Sequence, residues 1–451
     1  MTSKWNKPIS RRRMLSSAVA GAALFTPIRW LSSPSLAGAT LSARPLSAMQ
    51  YDAAVPTAWF GLVQRLVMRT PGYSPPVASR AFGCLGVGLY ESLVPGMPDY
   101  VSLAGTLHDL PAIPRSAGTY HWPSVANATL ASMTRNLFPT APEALRAEID
   151  QLEAQMAGNV APGILRRSVE AGRAAAGAVD AWSRSDGGHE GYLRNFPADY
   201  VPPVGEGLWV PTPPGFQRAM QPRWGSNRAM ALDTALTCNP GPPPPFSTQA
   251  DSAFLAEALE VYETVNGLTS AQRDIALFWS DDPGLTATPP GHSVSILGQV
   301  LRTQDRSLAD AAVAYARLGI AVCDAFIACW RVKYIHNLLR PISFIRSHID
   351  PTWDALPLTT PPFPEYTSGH SVQSAAAAEV MKATLGETAF TDHTHDARGL
   401  APRSFGSFAE FAQEAAISRL YGGIHFRSAI ERGLEQGRCI GSAVAAIPLQ
   451  R

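Results

Sequence analysis

The chain has 451 residues, 46% of them hydrophobic and 16% charged, with a formal net charge of +1. That supplies a sizeable core for about two or three domains. The near-neutral balance argues against a nucleic-acid binder. The 39 prolines and 36 glycines are spread along the chain, and no internal repeat or heptad run is present.

The first segment, residues 1–39, reads as a targeting signal. In "SRRRMLSSAVAGAALF", Ser10 to Leu15 resemble a twin-arginine signal, and the apolar run that follows is too short to span a bilayer. A cleavage point is expected after Ala37-Gly38-Ala39. The segment holds six basic residues and no acids, so its removal takes the net charge from +1 to −5. An exported protein is expected.

Residues 40–195 form an N-terminal helical half. "SVANATLASMTRNLF", "PEALRAEIDQLEAQMAG" and "GILRRSVEAGRAAAGAVDAWSRS" place apolar residues at three- and four-residue steps. Residues 196–248 are a proline-rich connection, since "YVPPVGEGLWVPTPPGF" and "NPGPPPPFS" cannot be regular helix. Trp209, Phe216 and Trp224 are expected to anchor it by packing. Residues 249–451 return to helical periodicity and form a C-terminal bundle. The fold class is all-α, in stacked helical bundles.

Residues 310–345 are the most apolar stretch. Arg317 and Asp324 argue against a membrane span, and a central buried helix is expected. Cys84, Cys238, Cys323, Cys329 and Cys439 show no zinc spacing. Buried thiols are the expectation, and one disulfide after export stays open.

Three separated motifs carry chemistry. Lys333 and Arg340 are seven residues apart, which predicts one face of the central helix, with Pro341 ending it. Buried cations need an anionic partner. Ser368-Gly369-His370 opens a helix-forming stretch, so its unpaired N–H groups make an anion site. His370 beside that site could give or take a proton near neutral pH. Arg419 offers a planar charged fork, and Gly422-Gly423 break the helix so that His425 turns back. Each motif alone is weak: a surface ion pair, an N-cap or a packed histidine would look similar.

Together, in order and spacing, the motifs resemble the vanadium haloperoxidase and type 2 phosphatidic acid phosphatase superfamily. Trp330 and Phe363 stand where fungal-type chloroperoxidases carry aromatic residues near the metal. The resemblance covers roughly residues 195–451. It implies vanadate as cofactor, with His425 as the protein ligand to vanadium. Lys333, Arg340, Ser368, Gly369 and Arg419 would hold its oxygens, and His370 would handle protons. The implied partners are hydrogen peroxide, a halide and a small organic substrate; a homo-oligomer is compatible with it. The product would be hypohalous acid, with chloride and bromide both open. The same pocket fits phosphate, so an exported phosphatase acting through a phosphohistidine is the rival reading. A non-catalytic oxyanion-binding protein is the third.

Two positions depart from the family pattern. Thr367 replaces a proline before Ser368, and Ala429 stands where an aspartate often follows the last histidine. Either a backbone carbonyl or Glu431 is then expected to orient His425. Of the remaining features, "DHTHD" (Asp392 to Asp396) is expected to be an exposed loop rather than a metal site through His393 and His395. One of Asp281 and Asp282 could pair with a site arginine; His292 and His336 lie near the motifs, and His336, which could line the cleft, is expected to pack.

Overall fold

The computed structural model describes residues 46–114, 117–355 and 357–451. The signal-like segment and its cleavage point lie outside these residues. In the first half the helices are α1 (Ala54–Arg69), α2 (Pro75–Leu93), α3 (Trp122–Leu137), α4 (Glu143–Gln155) and α5 (Pro162–Ser183). The second half holds α6 (Ala253–Asn266), α7 (Ser270–Phe278), α8 (Thr288–Thr303), α9 (Leu308–His336), α10 (Pro341–His348), α11 (Gly369–Leu385), α12 (Phe408–Tyr421) and α13 (Arg427–Ala445). Among the described residues the only named strands are β1 (Phe390–Asp392) and β2 (Arg403–Phe405), an antiparallel pair with Asp392 opposite Arg403. The chain is all-α.

The centre is α9. Ser307 starts it with a capping box: its hydroxyl accepts from the Asp310 amide at 3.1 Å, and Asp310 accepts from the Ser307 amide at 3.1 Å. Long and apolar enough to cross a membrane, α9 is instead nearly all buried, packed along α2 and α11. The α2 contact is close because glycines meet there; a Cβ on Gly86 would stand 2.4 Å from the Tyr315 carbonyl oxygen. Asp324, fully buried on α9, accepts three backbone N–H groups, from Met230, Ala231 and Leu232, at 2.7–3.0 Å. A charge that would be expensive in lipid thus pins the proline-rich connection to the central helix.

No α-helix forms among residues 196–248. The segment is held by backbone bonds at its contact points: the Trp209 amide donates to Asn337 at 2.6 Å and the Met220 amide to Pro362 at 2.8 Å. Trp209 and Trp224 are buried anchors, as expected, whereas Phe216 is 65% exposed and anchors nothing. A disulfide joins Cys238 of this segment to Cys439 on α13, while Cys84, Cys323 and Cys329 are buried free thiols.

The α13 helix lies against α11, the helix that starts at the Ser-Gly-His motif. Gly433, Gly437 and Gly441 recur at four-residue steps on the contacting face; a Cβ on Gly437 would fall 2.2 Å from the Val372 carbonyl oxygen. Backbone cannot yield as a flexible side chain can. Gly437→Val is therefore expected to lower stability by about 3 kcal/mol, read as a fall in the urea midpoint.

Candidate active site

The end of α9 sets the first two cations, though not as their spacing predicts. Asn337 takes a left-handed conformation, φ 46°, and stops the helix. Arg340 is consequently not on the face of α9 but is the N-cap residue of α10. The turn still aims both charges inward, and both residues are fully buried.

Lys333 donates to the carbonyls of Pro364 and Glu365, at 3.0 and 2.8 Å, and to that of Thr367. All three ammonium protons thus fasten the segment leading into α11. Burial is the main cause that lowers its pKa, to about 7, with Arg340 adding to it and Cys329 and Glu365 opposing. Arg340 donates Nε to the Phe363 carbonyl and Nη1 to the Ile424 carbonyl, each at 2.8 Å. Its Nη2 finds no hydrogen-bond partner among the described residues.

Ser368 is the N-cap of α11, and its hydroxyl accepts from the Ser371 amide at 3.4 Å. Thr367, in place of proline, is fixed by its own hydroxyl, which donates to Gln436 on α13 at 2.7 Å. A Cβ on Gly369 would meet only Trp330, at an ordinary 3.8 Å. The protein itself would tolerate a side chain there; what glycine keeps open is the cleft in front of the helix N-terminus.

His370 Nε2 finds no hydrogen-bond partner among the described residues and lies 3.9 Å from an Asp281 carboxylate oxygen. Burial, then the Arg419 charge, hold its pKa well below the ordinary value. The ring is neutral and able to accept a proton. Arg419, on the last turn of α12, donates Nη1 to the Trp279 carbonyl at 2.7 Å, and its Nε is unpartnered. Burial lowers the pKa of each guanidinium to about 10, so Arg340 and Arg419 stay charged at neutral pH.

His425 follows Gly422 and Gly423; Gly423 supplies the positive φ, 69°, that turns the chain back. The ring is oriented by Glu365: Nδ1 lies 2.8 Å from Glu365 Oε1, which also accepts from the Phe426 amide at 2.9 Å. This corrects the expectation that a backbone carbonyl or Glu431 would do so. Glu431 sits at the surface, 3.7 Å from Arg427, and Ala429 is packed in the core beneath. Arg340 Nη1 donates towards Nε2 at 3.2 Å. The proton is thus on Nδ1, and the Nε2 lone pair faces the site. Burial, then Arg340, Lys333 and Arg419, keep the ring neutral. Burial also raises the Glu365 pKa, to about 8, against the pull of Arg340 and Lys333.

Gly369, His370, Arg419 and His425 line one cleft of about 970 Å3, with Trp330 and Phe363 in its wall. Lys333, Arg340 and Ser368 lie behind that surface. The donor set suits a multiply negative oxyanion: two unpartnered guanidinium N–H groups, a third cation, a helix N-terminus and an imidazole lone pair.

Behind His370 lies a second buried group that the sequence did not announce. His292 Nδ1 is 2.9 Å from Asp281, and its Nε2 is 2.7 Å from Asp392. These two carboxylates raise the His292 pKa to about 10 in spite of burial. His395 Nε2 approaches Asp281 at 3.5 Å. The "DHTHD" segment is therefore not simply an exposed loop: Asp392 and His395 are buried, while His393 and Asp396 are exposed and pair with each other at 3.0 Å. Ligand atoms of Asp281, His292 and His395 lie within 4.8 Å of one another, close enough to hold a metal ion. A protonated His292 between the two carboxylates already offsets one of their two charges without one. His336 packs edge-on against Tyr366, with ring centroids 5.6 Å apart.

Residues 313–448 match the family model of the VCPO second helical-bundle domain. Over 173 residues, 31% of this chain, the sequence is 29% identical to the vanadium chloroperoxidase of Curvularia inaequalis, and the matched stretch is 28% of that enzyme's length. A holo-type bacterial vanadium-dependent chloroperoxidase shares the fold, with TM-score 0.66, 17% identity, and coverage of 84% of this chain and 93% of that one. The first bacterial vanadium-dependent iodoperoxidase to yield a crystal structure superimposes with TM-score 0.81 at 36% identity, covering 89% of this chain and 98% of that one. With such identity across nearly the whole of the iodoperoxidase, the chain belongs to the vanadium haloperoxidase family.

Proposed function

We propose that the protein is a vanadate-dependent haloperoxidase that oxidises a halide with hydrogen peroxide. One observation carries the reading: His370 and Arg419, whose Nε2 and Nε find no hydrogen-bond partner among the described residues, line one cleft with His425 and Gly369 at the N-terminus of α11, and Arg340 stands behind it with Nη1 3.2 Å from His425 Nε2 and Nη2 likewise unpartnered. Vanadate fits this donor set. Arg340, Arg419, Ser368 and the Gly369 amide would hold its oxygens, and His425 Nε2 would bind the vanadium. Lys333 contributes charge and shapes the 364–367 segment; it would have to release a carbonyl to touch an oxygen. When bound, vanadate supplies a Lewis acid that activates peroxide for oxygen transfer to halide.

The chain does the rest. Glu365 fixes the His425 tautomer, so the donor nitrogen is aimed before any ligand arrives. The three cations hold a charged guest in a partly dehydrated cleft where their fields are strong. His370 Nε2, neutral and unpartnered, accepts a proton from the entering peroxide and returns it to the departing oxygen. Iodide is the first halide to test, because the 36%-identical relative is an iodoperoxidase. Vanadate-loaded protein should form triiodide from iodide and peroxide and should not hydrolyse p-nitrophenyl phosphate; ester hydrolysis without triiodide would reverse the reading.

Two further results follow. Glu365→Ala should weaken vanadate binding by about 10–100-fold, and Glu365→Gln, which keeps an acceptor for Nδ1–H, should recover most of it. Tungstate, a dianion throughout the range, should bind the vanadate-free protein more weakly as pH rises from 6 to 9. Lys333 loses its proton near 7 and Glu365 gains charge near 8. Both changes disfavour an anion, so affinity falls by up to about tenfold per pH unit for each proton that binding must recover. Isothermal calorimetry reads both results.

The twin-arginine-like segment supports export, and the Cys238–Cys439 disulfide suits an oxidising compartment.

A further inference from the structure

The buried group behind His370 has no part in holding the oxyanion, and its polar atoms do not all satisfy one another. Three segments build it: Asp281 from the turn after α7, His292 from near the start of α8, and Asp392 and His395 from β1 and the turn that follows. All four residues are at most 2% exposed. Asp392 is well satisfied: one oxygen faces His292 Nε2 at 2.7 Å, and the other accepts from the Thr394 amide at 2.9 Å and from the Thr394 hydroxyl. His292 Nδ1 is thereby aimed at Asp281. His395 Nε2 has no such place. It lies 3.5 Å from Asp281 Oδ1 and finds no hydrogen-bond partner among the described residues. A buried nitrogen left without a partner is rare, and an ion is one of its causes. The spacing suits one. Two ligands at about 2.1 Å from a tetrahedral zinc ion stand roughly 3.4 Å apart. Asp281 Oδ1 stands 3.1 Å from His292 Nδ1 and 3.5 Å from His395 Nε2. Charge points the same way: two carboxylates with two neutral imidazoles leave a buried charge that a divalent cation cancels. The Arg419 charge is felt at Asp281, but that guanidinium is bonded to the Trp279 carbonyl and lines the cleft.

We propose that Asp281, His292 and His395 form a second metal site, for a divalent cation of the zinc class, with Asp392 holding His292 from behind. Imidazole nitrogen and carboxylate oxygen are ligands of that class, and a carboxylate on the far nitrogen of a ligating histidine is its usual support. On loading, His292 gives its Nδ1 proton to solvent and that lone pair turns to the ion. The ion ties the Asp281 turn, α8 and the β1 segment together beside His370. None of these residues is assigned to hold the oxyanion, so the site stands or falls independently of the haloperoxidase reading.

The test titrates chelator-stripped, vanadate-free protein without an affinity tag with Co2+, a visible stand-in for zinc. Hours are allowed for entry, because the ligands are buried. One equivalent per chain should bind with the strong visible absorption of tetrahedral cobalt, and Zn2+ should displace it. Asp392→Asn should weaken binding by about 10–100-fold in a protein whose circular dichroism is unchanged, and His395→Gln should abolish the cobalt band. His393→Asn, at the exposed neighbour that pairs with Asp396, should leave the band intact. No stoichiometric cobalt, an octahedral spectrum, full binding in His395→Gln or loss of the band in His393→Asn overturns the proposal. Should His395→Gln fail to fold, the Asp392→Asn affinity decides: a value equal to that of the parent protein overturns the proposal as well.

Discussion

Replacing His425 by alanine is expected to abolish triiodide formation and to release vanadate, a loss larger than the roughly 100-fold ceiling typical of a supporting residue. In the cleft, His425 Nε2 is a lone pair whose other nitrogen is committed, at 2.8 Å, to a buried carboxyl group. The cations can hold oxyanion oxygens, but none can donate electrons to the central atom. His425→Ala should therefore still bind tungstate weakly through Arg340 and Arg419 while losing turnover. Equal retention of vanadate and activity in the variant would remove His425 from its proposed role.

His370→Ala has the second-largest expected effect, a fall in turnover of about 10²–10⁴-fold, with tungstate affinity changed only a few-fold. His370 Nε2 finds no hydrogen-bond partner among the described residues, so its loss removes a proton acceptor without dismantling the anion cradle. The sign of its pH effect follows from its surroundings. Burial and the Arg419 charge hold its pKa well below the ordinary histidine value. In the parent enzyme the contribution of His370 should be lost as pH drops through that depressed value, where Nε2 becomes occupied. The variant should lack this acid limb. An unchanged acid limb in His370→Ala would assign it to another group.

The site was legible where chemistry demands residue types at fixed spacings. Gly369, His370, Arg419 and His425 line one cleft and Lys333, Arg340 and Ser368 are buried residues outside its lining, because a helix end, a helix start and a glycine break each aim a side chain by local rules. Glu365 was not legible. It lies in "FPEYTSGH" as one acid in a proline-bearing turn, and only tertiary folding brings it under His425, sixty positions on in the chain. Arg340 was read onto α9 because a seven-residue spacing matches two turns; the left-handed Asn337 ended that helix first. Phe216 failed the general rule that aromatics in an irregular segment are packing anchors. Asp392 and His395 sit in a polar stretch that composition assigns to the surface. They are buried because the hairpin β1–β2 folds them against His292 and Asp281. For Glu365, Asp392 and His395, what local pattern could not carry was a contact between distant segments.

The most direct measurement is a crystal structure of the protein soaked with vanadate or tungstate. An oxyanion is expected in front of the α11 N-terminus, touching His425 Nε2, with Arg340 Nη2 and Arg419 Nε turned onto its oxygens. A fully soaked crystal in which Arg340 keeps its bond to His425 and the anion lies elsewhere, or nowhere, would contradict it.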